Sequence, residues 1–164
     1  MINLDKKNIV YNREESIKLK KEFWTAFGIY MKKYIPVYGE KINWVNFNTN
    51  CKPIYFQLDA DNKTARFYID IRHKNETIRE LFYLQIKEYQ NILNENLGEL
   101  IWIKDFINPS GIIHPRIYIA IYVKSIFNKN DWKDLFEFFE TKIVAIKEFW
   151  DMVDEIFIDL ENNL

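Results

Sequence analysis

Hydrophobic positions along this chain change period several times, and each change marks a new element. Ile17, Phe23, Phe27, Met31 and Tyr34 recur at helical spacing behind Asn12-Arg13-Glu14-Glu15, which has the form of a capping box. The pattern predicts a helix over 13–34, closed by Pro36. Ile42, Trp44 and Val45 suggest a short strand, and Asn46 to Lys52 reads as a polar turn. Period-two alternation then takes over in 53–59 (Ile54, Phe56, Leu58) and 64–72 (Ala65, Phe67, Ile69, Ile71). The turn Ala60 to Lys63 joins these into a hairpin with Asp59 opposite Thr64, one face apolar and one wet. Its apolar residues are expected to face a helix-covered core.

Asn75 opens a second helix whose stripe runs through Ile78, Phe82, Ile86, Tyr89, Leu93 and Leu97 to a cap at Gly98. Leu100 to Ile103 and Arg116 to Lys124 read as a strand pair turned at Asn108-Pro109-Ser110-Gly111, with Ile117, Ile119, Ile121 and Val123 inward. A last helical stripe spans Asp131 to about Leu160. At 1.5 Å per residue it would reach roughly 45 Å, more than a small domain's width, so a break near Thr141 is expected. The predicted class is α+β, in the order α-β-β-β-α-β-β-α, with one mostly antiparallel sheet packed by helices in a single domain over 1–164.

Composition narrows the function classes. Apolar residues make up 48% of the chain and aromatics 17%, enough to drive collapse around a core. Four glycines and four prolines leave little material for phosphate-cradling loops or linkers. The net charge of −1 creates no field that would gather nucleic acid or an anionic membrane, and charges interrupt every apolar run before the ~18 residues a span requires. Cys51 has no second cysteine to pair with, and the first residues carry no secretory pattern, so a cytoplasmic location is expected.

Several segments together resemble a known family. They are Leu19-Lys-Lys-Glu-Phe-Trp-Thr-Ala-Phe-Gly28, Lys41-Ile-Asn-Trp44, Ile54-Tyr-Phe-Gln-Leu-Asp-Ala-Asp-Asn-Lys63, His73-Lys-Asn-Glu-Thr-Ile-Arg-Glu-Leu81 and Glu148-Phe-Trp150. Over about 13–158 the chain resembles domain-of-unknown-function family 4268. Members occur in bacteria and archaea, alone or behind other domains that include nuclease-like ones. The resemblance implies a prokaryotic source and a role near DNA metabolism or phage defence, and it brings no catalytic residues with it.

Each candidate chemistry competes with a plainer reading. In the restriction-endonuclease-like fold, whose core order is also α-β-β-β-α-β, the strand hairpin holds carboxylates and a lysine around a divalent metal. Here Asp70-Ile71-Arg72 stands in that place, and arginine cannot titrate as the lysine does. With Asp59 opposite Thr64, Asp70 faces Pro53, so only Asn48 or Asn50, with Glu15 or Glu22, could complete such a site. Asp59-Ala-Asp61-Asn62 departs from a calcium loop at Lys63 and Thr64 and reads as a hairpin turn. His73 and His114 lack zinc-ligand spacing, and His114, before Pro115, reads as a surface residue. No serine or cysteine lies in a nucleophile elbow.

Two constellations remain. Asp70, Arg72, His73 and Lys74 cluster at a strand-to-helix junction and could hold a phosphate or carboxylate, against the plainer reading of a solvated salt bridge and a cap. Tyr55 and Tyr68, beside Gln57 and Arg66, together with Tyr118 and Tyr122, could form an aromatic surface that stacks bases or fills a protein interface. If helices cover both faces of the sheet, these rings are core instead. The chain therefore reads as a non-enzymatic interaction module serving nucleic-acid metabolism or defence, with no cofactor and no metal. The expected partner is a second copy or another protein. Nucleic acid stays open, although the net charge gives it no support. A metal-dependent nuclease and a small secretion-chaperone-like protein, whose element order also matches, are the alternatives.

Overall fold

Trp150 marks where the core closes. Its ring meets Phe56 edge-on at 5.2 Å, and its Nε1 donates to the Thr49 carbonyl at 3.0 Å. One helix is thereby fixed both to the sheet and to the loop that precedes the sheet. The computed structural model describes residues 12–35 and 39–164; the expected stop at Pro36 lies outside them.

Helix α1 (Arg13–Tyr30) opens with a reciprocal cap: Asn12 accepts from the Glu15 N–H, and the Glu15 carboxylate accepts from the Asn12 N–H. It tightens into a 3-10 turn at Met31–Lys33. Strands β1 (Ile54–Ala60) and β2 (Thr64–Ile71) follow, then helices α2 (Glu76–Lys87) and α3 (Gln90–Leu97), strands β3 (Ile101–Ile107) and β4 (Ile113–Tyr122), and helix α4 (Trp132–Asn162). The four strands form one antiparallel sheet in the order β1-β2-β4-β3. The class is α+β, one antiparallel sheet packed by helices.

Four local expectations differ from what the chain does. Ile42 to Val45 forms no strand. Trp44 is buried there against Tyr34 instead, so the segment contributes a side chain to the core rather than a backbone ladder, and the order is one strand short of α-β-β-β-α-β-β-α. The second helical stripe is interrupted at Glu88-Tyr89, where the Tyr89 N–H bonds to the Ile86 carbonyl in a 3-10 turn and its ring packs on Phe149 and Phe157. Helix α4 is unbroken over 31 residues, and at the expected break Thr141 stays helical with its hydroxyl donating to the Glu137 carbonyl. Its length serves two neighbours: Phe136 and Phe139 pack on Phe23 and Phe27 of α1, while Trp150 and Phe157 pack on Phe56, Phe82 and Tyr89. Val123, expected inward, is 90% exposed at φ +60°, a strained conformation for a β-branched residue.

The hairpin register is also two residues from the expected one, with Ala60 opposite Ala65, Asp59 opposite Arg66 and Tyr55 opposite Asp70. A slip of two preserves which face each side chain takes, whereas a slip of one would invert it. Ile54, Phe56, Phe67, Ile69 and Ile71 are accordingly buried, and Leu58 half-buried. The helices gather on this face. Trp102 meets Tyr83 of α2, and at the end of α3 Gly98, at φ +96°, leaves room for Ile119, whose Cδ1 would lie 2.8 Å from an added Cβ.

Glu140 ties α4 to the end of α1. It accepts from the Tyr30 and Tyr34 hydroxyls, the latter at 2.6 Å, and pairs with Lys33 at 2.6 Å. Burial pushes its pKa upward, but the bonds from Lys33, Tyr30 and Tyr34 outweigh that and hold it below the usual carboxylate value. Because the folded state binds this proton more weakly than the unfolded one, the stabilisation is complete above the ordinary carboxylate range and lost as pH falls through it. Glu140→Gln should flatten the acid limb of the stability–pH curve in chemical denaturation; an unchanged limb would contradict the pairing. Phe67→Ala, which empties a fully buried aromatic site at the sheet centre, should cost about 3–5 kcal/mol in the same assay.

Candidate functional site: the uncovered face of the sheet

The pleat that sends Phe67, Ile69 and Ile71 to the core sends Arg66, Tyr68 and Asp70 the other way. Pairing adds Tyr55, Gln57 and Asp59 from β1, Arg116, Tyr118 and Ala120 from β4, and Ile101 and Ile103 from β3. Tyr55 is 39% exposed, Ile101 46% and Tyr122 63%. Tyr55, Tyr68, Tyr118 and Tyr122 thus share one face. Tyr55 stands opposite Asp70, and Tyr68 stands between Gln57 and Tyr118.

Asp70 is the chemical centre of this face. Its side chain is inaccessible to solvent, yet both oxygens are engaged. Arg116 forks onto it through Nε at 2.7 Å and Nη2 at 2.9 Å, and Arg72 bonds Oδ2 through Nη2 at 2.7 Å. The Arg116 guanidinium lies between two rings, 3.9 Å from the centre of Tyr68 and 4.1 Å from that of Phe106. Burial lowers the Arg116 pKa, and the bonds and charge of Asp70 more than restore it, leaving the group above its ordinary value. Arg72 reaches Gln57 at 3.0 Å and sits 4.8 Å from the Tyr55 ring centre. At the hairpin turn, Arg66 pairs with Asp59 and Asp61.

The four residues of the expected anion cluster divide into two groups. Asp70 and Arg72 belong to the outer face. His73 and Lys74 belong to the start of α2, where His73 Nδ1 accepts from the Asn75 N–H and the backbone carbonyls of both accept from Arg79. Asn75 in turn caps Thr77 and Ile78. Of the residues proposed to complete a metal site, Glu15 is in the α1 cap, Glu22 faces Lys129 at 3.6 Å and Asn48 accepts from the Asn50 N–H. Among the described residues no group of three or more His, Cys, Asp or Glu side chains is placed to hold a metal ion. Cys51 is buried and held as a thiol, its pKa pushed up to about 12 by desolvation and the nearby Glu161.

His114 is not at the surface. It is 2% exposed, stacked edge-on against Phe106, with Nδ1 3.0 Å from the Pro115 carbonyl and Nε2 3.8 Å from Asp70 Oδ2. Nε2 has no hydrogen-bond partner among the described residues. Arg116 and His114 were not legible as neighbours of Asp70, nor Phe106 as a neighbour of those two, because the link is the antiparallel pairing of β2 with β4, which places Arg116 opposite Asp70 from 46 residues away. The signal present in the sequence was an arginine on an alternating strand, and it acquires meaning only with the register.

Removing Arg116 would leave a buried carboxylate with a single partner. Arg116→Met should cost about 3–5 kcal/mol, while Arg72→Met, at a site whose side chain is 41% exposed, should cost about 1 kcal/mol or less. Denaturant titration of both variants checks the order; equal costs would mean that the pair with β4 is not the dominant one.

No curated protein and no solved structure matches the chain. The model of the family described as Domain of unknown function (DUF4268) matches it over residues 19–154. That match takes in most of the 164 residues, all four strands among them, and the chain belongs to this family.

Proposed function

We propose that this chain is a non-enzymatic interaction module, serving nucleic-acid metabolism or a prokaryotic defence system, and that it binds a protein partner through the outer face of its sheet. One observation carries the reading: a four-stranded sheet has its helices on one face and, on the other, tyrosines and isoleucines set among matched charges. Asp70 supports a non-enzymatic role, since a metal-binding or proton-transferring carboxylate needs free lone pairs and these are held by two guanidinium groups.

The same geometry favours a protein over nucleic acid. Base stacking needs open ring faces, and the guanidinium groups of Arg72 and Arg116 lie on Tyr55 and Tyr68. Phosphate binding needs several unmatched cations, and here Arg66 is paired with two aspartates while Arg72 and Arg116 share Asp70, so the arginines of this face leave an excess of one positive charge at one end only.

Two measurements test this. With magnesium or manganese the purified protein should leave single- and double-stranded DNA and RNA uncut; metal-dependent cleavage abolished by Asp70→Ala would replace the reading with the nuclease alternative. In cells of its source, a photo-crosslinking residue at Tyr118 should capture a polypeptide, while the same residue at the exposed Glu95 of α3 should not. No adduct from position 118, or equal adducts from both, would remove the interface.

A further inference from the structure

The outer face is ordered into three cross-strand rows. Gln57, Tyr68, Tyr118 and Ile101 stand side by side in the middle, without charge. Toward the β1–β2 turn lies the row Asp59, Arg66, Ala120, joined by Asp61, whose carboxylate bonds Arg66 at 3.3 Å. Toward the other end lies the row Tyr55, Asp70, Arg116, Ile103, joined by Arg72. Two aspartates and one arginine leave the turn end negative by one charge. Two arginines and one aspartate leave the opposite end positive by one. Hydrogen bonds from the Lys63 and Thr64 backbone overcome the burial penalty on Asp61 and hold its pKa below the usual value, which keeps the turn end anionic.

A surface that is negative at one end, positive at the other and apolar between them is complementary to itself when turned end for end. We infer that the partner of this face is a second copy of the chain, docked sheet on sheet about a two-fold axis that crosses the strands at the Tyr68–Tyr118 row. This rests on the interface proposed above and names its occupant. The axis sets the Asp59 end of each copy against the Arg72 end of the other and brings the central tyrosines of the two copies together. An acidic or basic macromolecule would match only one end and be repelled at the other, whereas the two-fold pair matches both.

The area sets the size class of the interface. Four strands ~4.8 Å apart, with about seven residues each at ~3.3 Å, present about 450 Å² of flat sheet per copy. Standard interfaces bury roughly 800 Å² of accessible surface per partner, so even with the relief of the side chains this one falls at the small end. The dimer is therefore reversible, forming as concentration rises through the micromolar range.

Sedimentation equilibrium or light scattering on the purified chain across that range tests it. The mass should rise from one chain to two. Tyr118→Arg, which sets like charges together at the axis, should hold the protein monomeric at every concentration reached. Asp59→Lys, on a partly exposed side chain at the negative end, should raise the dissociation constant about tenfold, and Glu95→Lys on α3 should leave it unchanged. Thermal melts verify folding, and if Tyr118→Arg does not fold, Asp59→Lys still decides. A wild-type chain that stays monomeric throughout, or a dimer indifferent to Asp59→Lys, overturns the inference. A monomer in solution combined with position 118 capturing a different polypeptide in cells would remove the dimer and leave the protein-binding face standing; neither association nor capture would remove both.

Discussion

Asp70 carries a carboxylate in a site with no access to solvent, and the outer side of the sheet is organised around matching it. An isolated buried charge is too costly to keep, so a fold that retains one must bring donors to it. Arg116 arrives from β4 and Arg72 from two residues on, and both guanidinium groups are then laid on aromatic rings. The match also pins register. Moving β4 by one residue along β2 would take Arg116 from Asp70 and turn Ile117 and Ile119 out of the core at the same time.

The core side follows from a different economy. Thirteen phenylalanines, ten tyrosines and five tryptophans are a large aromatic inventory, and α4 absorbs much of it by staying straight for 31 residues. Its first half is covered by α1 through Phe136 and Phe139, and its second half covers the sheet and the α2–α3 pair through Trp150 and Phe157. The flanking apolar groups that widen its stripe are mostly consumed in this way: Phe136, Phe138 and Ile158 pack against the core, leaving Ile156 at 45% exposure. Single apolar side chains such as Ile17, Leu84 and Met152 stay exposed on the helices, whereas the outer face of the sheet sets Tyr68, Tyr118 and Ile101 side by side.

How much of this the sequence disclosed depends on the range of the interaction. Alternation in 53–72 identifies the hairpin and its buried face, because side-chain direction is a local property of the pleat. Its register was two residues off because the turn is closed by Asp61, whose backbone N–H and side chain both bond across to Thr64. Trp44 resembles a strand residue because a buried aromatic in a loop and one in a strand have the same local pattern; only its packing on Tyr34 in the folded chain distinguishes them. The Asp70–Arg116 pair and the burial of His114 were hidden for the same reason, each depending on the non-local meeting of β2, β4 and β3. The four tyrosines could be named from the sequence, but whether they were core or surface turned on where the helices go.

The proposed meeting place of this protein with its partner is the outer face of the sheet. Hydroxyl-radical footprinting with mass spectrometry, read at Tyr68, Tyr118 and Tyr122 in dilute and concentrated samples, addresses it most directly. Oxidation at these three rings should fall as concentration rises, while Ile17 and Met152 on α1 and α4, both well exposed, keep their labelling. Unchanged labelling of the tyrosines, with protection appearing on the helices instead, would place the interface elsewhere and contradict the claim.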